Sequence, residues 1–368
     1  MAEKELSLEM VGAEATVDKV EKPQASSFDL QKVMASPAFW PGVIIALGIG
    51  LVFWPLIQGL PELWLSKDGY YSHGFLVPLI AGFIVYKNWD RKPNISGLMI
   101  PAIAGIYAVT RSVEILGMVA LGFVALYTLI PPFRRALGAL NDKVFPEARL
   151  QDLKPKFNIG TFLLVGLLML VPMFAALVST ATPIDAFMSA SFVASALLAI
   201  WLVAGFRWML ALAWPVTYLA FGLPVFGMAI EIYTNPLQAL STTVAELILK
   251  VTGFDPYPLN ATEVLVGSFH LNVGVPCSGL RLLFALTAFT TLFVLIANLR
   301  WWANLIMMAI IVPLALVING LRIALIGMVG ALKGDDAAMT FHDWSGYITL
   351  VVCFLILFKF ARLLGWKD

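Results

Sequence analysis

Long apolar runs separated by short polar connections dominate the chain from about residue 39 onward. A membrane-spanning helix needs about 20 mostly apolar residues. The segments that approach this length are 39–58, 72–87, 98–110, 113–132, 159–180, 184–205, 208–228, 279–298, 302–329 and 344–361. The third is short and runs almost directly into the fourth, with Arg111 and Glu114 at their junction. The pattern therefore predicts an all-α integral membrane protein, a polytopic helical bundle of about eight to ten spans.

The distribution of Lys and Arg gives this bundle an orientation. If the N-terminus is inside, every basic cluster that follows a predicted span falls on the same side of the membrane. These residues are Lys87, Arg91, Lys92, Arg134, Arg135, Lys143, Arg149, Lys154, Lys156, Arg207, Arg300, Lys359, Arg362 and Lys367. Cytoplasmic loops carry an excess of Lys and Arg. We therefore expect both chain ends inside and a cytoplasmic loop at 133–158.

The stretches outside the spans predict a tail and an external region. Residues 1–37 are polar and of mixed charge, which is typical of a flexible cytoplasmic tail, with an amphipathic surface helix as the alternative. The membrane domain then covers 38–368. Within the long external region 229–276, helical spacing in the first half predicts an interfacial helix. Alternating residues around Gly267 in the second half predict a small β-hairpin.

Composition agrees with a membrane class and narrows the chemistry. Hydrophobic residues make up 60% and charged residues 13% of the 368 positions, whereas soluble domains carry about 25% charge. A net charge of +1 gives no basic field for nucleic acid. The two cysteines cannot form a disulfide framework. The zinc-protease motif His-Glu-x-x-His does not occur, and we expect neither a metal ion nor a cofactor.

The first candidate for chemistry is Cys277, at the point where a span begins. Pro276 suits the first helical position, which would place Cys277 at a helix N-terminus, where the dipole favours an anion. Such a site lowers the pKa of a thiol. Arg281, four residues further on, would share the same helix face. The alternative for Cys277 is a small buried core residue, as expected for Cys353 inside the last span.

Further candidates lie at a similar predicted depth. Asn319 and Arg322 share one face of an apolar span, where a charged residue costs about 2.5–3.5 kcal/mol. Arg322 is either functional or a snorkelling, structural residue. His342 begins the last span and suits acid–base chemistry, or is an ordinary interfacial histidine. His73 starts the second span and either binds substrate or, as we favour, is structural. His270 falls in the predicted hairpin.

A thiolate, an imidazole and a guanidinium at one depth suit nucleophilic acyl transfer. Cys277 would attack, His342 would move the proton and Arg322 would stabilise the oxyanion. Asp343 is next to His342, but neighbours on a helix point in different directions. Ser278 is the only serine that a serine enzyme would offer. The rival class is a membrane transporter or scaffold with a structural Cys/Arg/His cluster, although no inverted repeat supports transport.

Several motifs resemble the exosortase/archaeosortase family. Cys-Ser-Gly-Leu-Arg at 277–281, Asn-Gly-Leu-Arg at 319–322 and His-Asp-Trp-Ser-Gly at 342–346 carry the resemblance. It extends to Ser-His-Gly-Phe-Leu-Val-Pro at 72–78, Phe-Gly-Leu-Pro at 221–224 and Asn-Pro-Leu-Gln at 235–238. The resemblance covers roughly 70–360, and the order of the motifs makes it specific. The N-terminal tail and the loop at 133–158 depart from a minimal member, which puts the subtype and the signal motif in doubt.

This resemblance implies a multi-pass cysteine peptidase or transpeptidase of the cell inner membrane, with an archaeal cell membrane as the alternative. Its partners would be secreted proteins with a C-terminal sorting signal, namely a short motif such as Pro-Glu-Pro, then a helix, then a basic cluster. It would also contact membrane lipids and a lipid or glycan acceptor. Cys277, Arg322 and His342 would be catalytic, on the periplasmic or extracellular side. Arg281, Asn319, His73 and Ser278 would bind substrate or support the site.

Overall fold

The computed structural model describes residues 39–66, 69–100, 130–181, 185–297 and 299–366, with a few isolated positions between 106 and 127. The predicted tail at 1–37, most of the expected spans 98–110 and 113–132, and both Arg111 and Glu114 lie outside these residues. The described part is helical apart from one small sheet, and several of its helices can cross a membrane. The predicted fold class is therefore confirmed.

Eight helices precede the small sheet in the described part of the chain. They are α1 (Phe39–Val52), α2 (Trp54–Leu65), α3 (Val77–Asn88), α4 (Pro131–Val144), α5 (Ile159–Ala181), α6 (Asp185–Ala204), α7 (Phe206–Tyr218) and α8 (Gly227–Val251). α1 and α2 meet at an angle of 65°. A proline lies at the start of α2, and because proline cannot donate the helical hydrogen bond it favours a break there. α5 and α6 pack against each other along their lengths.

A small sheet and four more helices complete the structure. They are β1 (Pro256–Pro258), β2 (Glu263–Val266), β3 (Phe269–Asn272), α9 (Leu280–Ile296), α10 (Trp301–Ala309), α11 (Ile311–Lys333) and α12 (Asp335–Leu363). Single 3-10 turns lie at Gly74–Leu76, Ile95–Leu98, Leu150–Asp152, Leu219–Gly222, Pro224–Phe226 and Val275–Cys277. α11 packs most extensively on α8 and α12, so these three helices form the frame for the sheet and for the turn that follows it.

Fewer helices than expected are long enough to cross a membrane. Within the described ranges, four qualify by length and apolar composition, or five if the bent pair α1–α2 counts as one span. α3 with its preceding turn, and α9, are apolar but shorter. α9 has 17 residues, which at about 1.5 Å per residue gives about 25 Å, against a hydrocarbon core of about 30 Å. The segments predicted at 72–87, 208–228 and 279–298 form shorter helices than their apolar sequence suggested.

The sheet confirms the predicted hairpin and adds a strand to it. β2 and β3 are antiparallel and join at Gly267, whose φ of 62° suits a tight turn. β1 pairs antiparallel with the other side of β2, giving the order β1-β2-β3. One face of the sheet rests on α8 and α11 through a cluster that includes Leu249, Val264, Val266 and Ile323. The predicted interfacial helix is α8, 25 residues long.

A second apolar cluster joins α9, α10, α11 and α12. It contains Leu286, Phe293, Met307 and Leu357, all buried, and stacked aromatic rings of α9 and α12 flank it. Cys353 is fully buried within this cluster, as expected for a core cysteine. The cluster packs these four helices against one another, and this packing fixes the positions of the side chains next to it.

Candidate active site

Three elements meet next to this cluster: the turn Val275–Cys277, the middle of α11 and the early part of α12. Their meeting point is the contact between Cys277 and His342, with 3.0 Å between Sγ and Nε2. Cys277 is 8% exposed. The two residues are far apart in sequence, so only the fold brings this thiol and this imidazole together. At 3.0 Å a proton can pass directly between sulfur and nitrogen.

The local structure at Cys277 differs from the sequence expectation. Cys277 lies in a 3-10 turn and not at the helix N-terminus, because Gly279 adopts a φ of 80° and α9 begins only at Leu280. The Leu280 N–H, at the start of this helix, donates to Ser278 Oγ at 3.3 Å. The break also means that Arg281 does not share a helix face with Cys277. Proximity to His342, and not a helix dipole, is what distinguishes this thiol.

Buried polar side chains from two helices hold the turn that contains Cys277. Asn319 of α11 is 2% exposed and donates through Nδ2 to the Cys277 carbonyl at 2.8 Å. Gln238 of α8 donates to the Val273 carbonyl, just before the turn. Ser241, one helical turn further, donates to the Ser278 carbonyl at 3.4 Å. Three carbonyls along this segment therefore have side-chain donors, which fixes the backbone around the thiol.

Glycines allow the elements of the site to approach closely. A Cβ at Gly279 would lie 2.9 Å from Asn319 Nδ2, in a backbone conformation that other residues rarely adopt. A Cβ at Gly320 would lie 2.4 Å from a side-chain carbon of Val244, so α11 packs directly on α8 here. These contacts explain in physical terms why glycine occurs in both the Cys-Ser-Gly-Leu-Arg and the Asn-Gly-Leu-Arg motifs.

Arg322 is anchored to α12 beside the histidine. It is 8% exposed, its Nε donates to Ser345 Oγ at 3.0 Å, and its Nη2 donates to the His342 carbonyl at 3.2 Å. Ser345 Oγ in turn donates to the same carbonyl at 3.1 Å. The guanidinium is near enough to Cys277 and to Arg281 to interact with both through charge. Arg322 is therefore held within a buried hydrogen-bond network of the protein.

His342 lies further inside its helix than expected. α12 begins at Asp335, so His342 is in its third turn and not near the start of the helix. The neighbouring carboxylate also comes nearer than the helical argument suggested, with 3.6 Å between His342 Nδ1 and Asp343 Oδ1. That distance is too long for a hydrogen bond.

A cavity of about 240 Å³ opens beside the network. Its polar part is lined by Ser72, His73, Arg281, Asn319, Arg322, His342 and Asp343. Its apolar part is lined by residues of α9 and α12, among them Phe289, Leu350 and Phe354. Cys277 is not itself in the lining, and it adjoins the cavity through His342. The cavity offers an aqueous or ligand-sized space beside the Cys277–His342 pair, flanked by two guanidinium groups.

Of the predicted site residues, the structure brings all but Ser278 to the cavity or to the Cys277–His342 contact. Arg281 and His73 line the cavity with the central residues, whereas the Ser278 hydroxyl accepts a hydrogen bond from the first residue of α9. His270 lies apart on β3, with 3.6 Å between its Nε2 and Glu263 Oε2. The part of the chain that the structure describes contains no group of three His, Cys, Asp or Glu side chains able to hold a metal ion.

Sequence reasoning missed two supporting residues that the motifs contained. Ser345 follows His342 by three residues and so shares its helix face, which is a detectable signal. Gln238 ends the Asn-Pro-Leu-Gln motif, and its role depends on the tertiary contact with Val273, which the sequence does not reveal.

Fold and site together define a helical, multi-pass membrane protein that presents a thiol–imidazole pair beside a buried arginine. The chain belongs to the transmembrane exosortase family, whose family model matches residues 144–359, more than half of the chain. That region contains α5 to α11, the sheet and most of α12, hence Cys277, Arg322 and His342. A search of curated proteins found no match, and a search of solved structures found none.

Proposed function

We propose that this exosortase is a cysteine-type peptidase and transpeptidase that cleaves the C-terminal sorting signal of secreted proteins. The observation that carries the proposal is the 3.0 Å contact between Cys277 Sγ and His342 Nε2 at the edge of a cavity. A structural cysteine needs no such partner, as Cys353 in its apolar cluster illustrates. The transporter and scaffold alternatives give this pair no task.

In the acylation step the thiol proton moves to His342 Nε2, and the sulfur attacks the carbonyl carbon of the scissile peptide bond. The tetrahedral intermediate then collapses, the C–N bond breaks, and His342 returns the proton to the departing amine. A thioester between Cys277 and the new C-terminus of the secreted protein remains. The C-terminal fragment, which carries the helix and the basic cluster, is the leaving group.

Arg322 is the best-placed donor for the oxyanion in this mechanism. Backbone N–H groups at the nucleophile often stabilise the oxyanion in other enzymes. Here the N–H groups of Cys277 and Ser278 already donate to the Gly274 and Val275 carbonyls, at 2.9 and 3.1 Å. A guanidinium has five N–H donors, and the bonds to Ser345 and His342 use two of them. A charged donor held by a network costs little reorganisation as negative charge develops.

In the second step a nucleophile attacks the thioester carbonyl, gives its proton to His342, and displaces the Cys277 thiolate. Water gives hydrolysis, and an acceptor group on a lipid or glycan gives transfer. The apolar lining from α9 and α12 suits an acceptor that remains partly in the membrane. The positive-inside distribution of Lys and Arg supports a site on the periplasmic or extracellular side of the cell inner membrane.

The test uses co-expression with a secreted reporter that ends in a Pro-Glu-Pro motif, an apolar helix and a basic cluster. Wild type, Cys277→Ala and Cys353→Ala are compared by the intact mass of the reporter. We expect wild type and Cys353→Ala to remove the helix, and Cys277→Ala to leave the reporter intact. The mass on the new C-terminus separates hydrolysis from transfer. Cleavage by Cys277→Ala at the wild-type rate would refute the nucleophile and with it the mechanism.

A further inference from the structure

The two edges of the external sheet differ in their capacity to bind another strand. The Leu259 N–H donates to the Glu263 carbonyl at 2.9 Å, and hydrogen-bonding direction alternates along an antiparallel strand. The backbone N–H and carbonyl of Tyr257 therefore point towards β2, whereas the backbone groups of Pro256 and Pro258 point away from the sheet. Proline has no N–H to donate, so the β1 edge is blocked against further pairing.

The β3 edge is open. The Val273 N–H donates to the Thr262 carbonyl at 2.9 Å. By the same alternation, the backbone N–H and carbonyl groups of Leu271 and Phe269 point towards β2, and those of His270 and Asn272 point away from the sheet. The Asn272 carbonyl accepts from Gly274 at 3.1 Å. Within the described residues, the N–H and carbonyl of His270 and the N–H of Asn272 have no backbone partner. The side chains of His270 and Asn272 are exposed, and β3 contains no proline.

The open edge leads directly to the nucleophile. Cys277 follows Asn272 by five positions, and an extended chain spans at most about 3.6 Å per residue, hence about 18 Å here. The same apolar cluster contains Leu271, Val273 and Cys277, so the strand and the thiol belong to one packed unit. A chain that pairs with β3 is therefore delivered within about five residues of the reactive sulfur.

We propose that an extended segment of the secreted substrate pairs with the outer edge of β3 as a fourth strand of the sheet. The identity of this occupant rests on the proposed function. Main-chain hydrogen bonds supply affinity in such strand addition and are largely independent of side chains. The pairing holds the substrate near its scissile bond, and the proline-blocked β1 edge restricts binding to the side that leads to Cys277.

Disulfide trapping tests this pairing without requiring cleavage. His270→Cys is introduced in the Cys277→Ala background, and single cysteines are placed at successive positions of the reporter upstream of its Pro-Glu-Pro motif. Tyr257→Cys is the matched control, because Tyr257, Leu265 and His270 form one row across the sheet and Tyr257 is likewise exposed. We expect disulfides at every second reporter position with His270→Cys, and at least tenfold less with Tyr257→Cys.

The period of two is the decisive feature, because side chains of a paired strand alternate between the two faces. Trapping at consecutive positions without alternation, or equal trapping through Tyr257→Cys, would overturn the proposal. A disulfide only between two copies of the His270→Cys chain would overturn it as well, in favour of self-association. If Cys277→Ala still cleaves the reporter, the proposed mechanism fails, while an alternating pattern would continue to support strand pairing.

A kinetic measurement in the cleaving enzyme provides a second test. Asn272→Pro removes one outward N–H and leaves the β2–β3 ladder intact, whereas Pro258→Ala restores an N–H on the far edge. One lost hydrogen bond of about 0.5–1.5 kcal/mol raises KM for the reporter about twofold to tenfold. We expect this with Asn272→Pro at unchanged kcat, and no change with Pro258→Ala. An Asn272→Pro enzyme with wild-type KM would refute the pairing.

Discussion

Ser345 tests whether the position of Arg322, and not only its charge, matters for acyl transfer. Ser345→Ala removes the acceptor for Arg322 Nε at 3.0 Å and the donor to the His342 carbonyl at 3.1 Å. Ser345 is 4% exposed, so water cannot easily replace its hydroxyl. A hydrogen bond to a charged group contributes about 1.5–3 kcal/mol. If that loss falls on the transition state, kcat decreases about tenfold to a hundredfold.

The assay is the rate of reporter cleavage at saturating reporter, with thermal unfolding in detergent as the check on folding. Thr340→Ala is the matched control, because Thr340 lies on the same helix and its hydroxyl donates only to the Asp336 carbonyl, at 2.9 Å. We expect Thr340→Ala to cleave at the wild-type rate. A Ser345→Ala enzyme that also kept the wild-type rate would show that the Arg322–Ser345 bond does not position the guanidinium for catalysis.

Three further substitutions probe the same network. Arg322→Lys keeps the charge but cannot make both bonds to α12, so we expect kcat to fall by about a hundredfold or more in the cleavage assay. Asn319→Ala leaves the Cys277 carbonyl buried without its donor, which destabilises the protein by about 1–3 kcal/mol and lowers the melting temperature. In Gly279→Ala the alanine must adopt a left-handed conformation, which costs about 1–2 kcal/mol, and its Cβ would lie 2.9 Å from Asn319 Nδ2. We therefore expect both the melting temperature and the rate of cleavage to decrease.

The sequence predicted the membrane class and the central residues because their signals are local. Apolar runs identify helices that need lipid or protein around them, and a buried arginine in such a run is costly enough to attract attention. The hairpin at Gly267 followed from alternation and turn chemistry, which are also local. Cys277, Arg322 and His342 were each recognisable as unusual before any contact between them was known.

The local path of the chain at the site could not be predicted in the same way. Pro276 suggested a helix start, but Gly279 with its positive φ separates the 3-10 turn from α9, and glycine alone does not reveal its own conformation. The start of α12 at Asp335 was missed because residues 335–343 are largely polar, and apolar patterning marks only the membrane-embedded part of a helix. Both differences concern helix boundaries, and the first removes the helix dipole from the reasons to regard the Cys277 thiol as unusual.

The connection between α11 and α12 determines which residues of the two helices meet. Gly334, with a φ of 83°, is the single residue between them. Arg322 precedes it by 12 residues and Ser345 follows it by 11, which at about 1.5 Å per residue places both about 17–18 Å from the turn. The observed Arg322–Ser345 hydrogen bond is the consequence of this equal spacing in an antiparallel helix pair. His342, one turn nearer to Gly334, is thereby held at the level of the Cys277 turn, so a one-residue connection sets the alignment of guanidinium, imidazole and thiol.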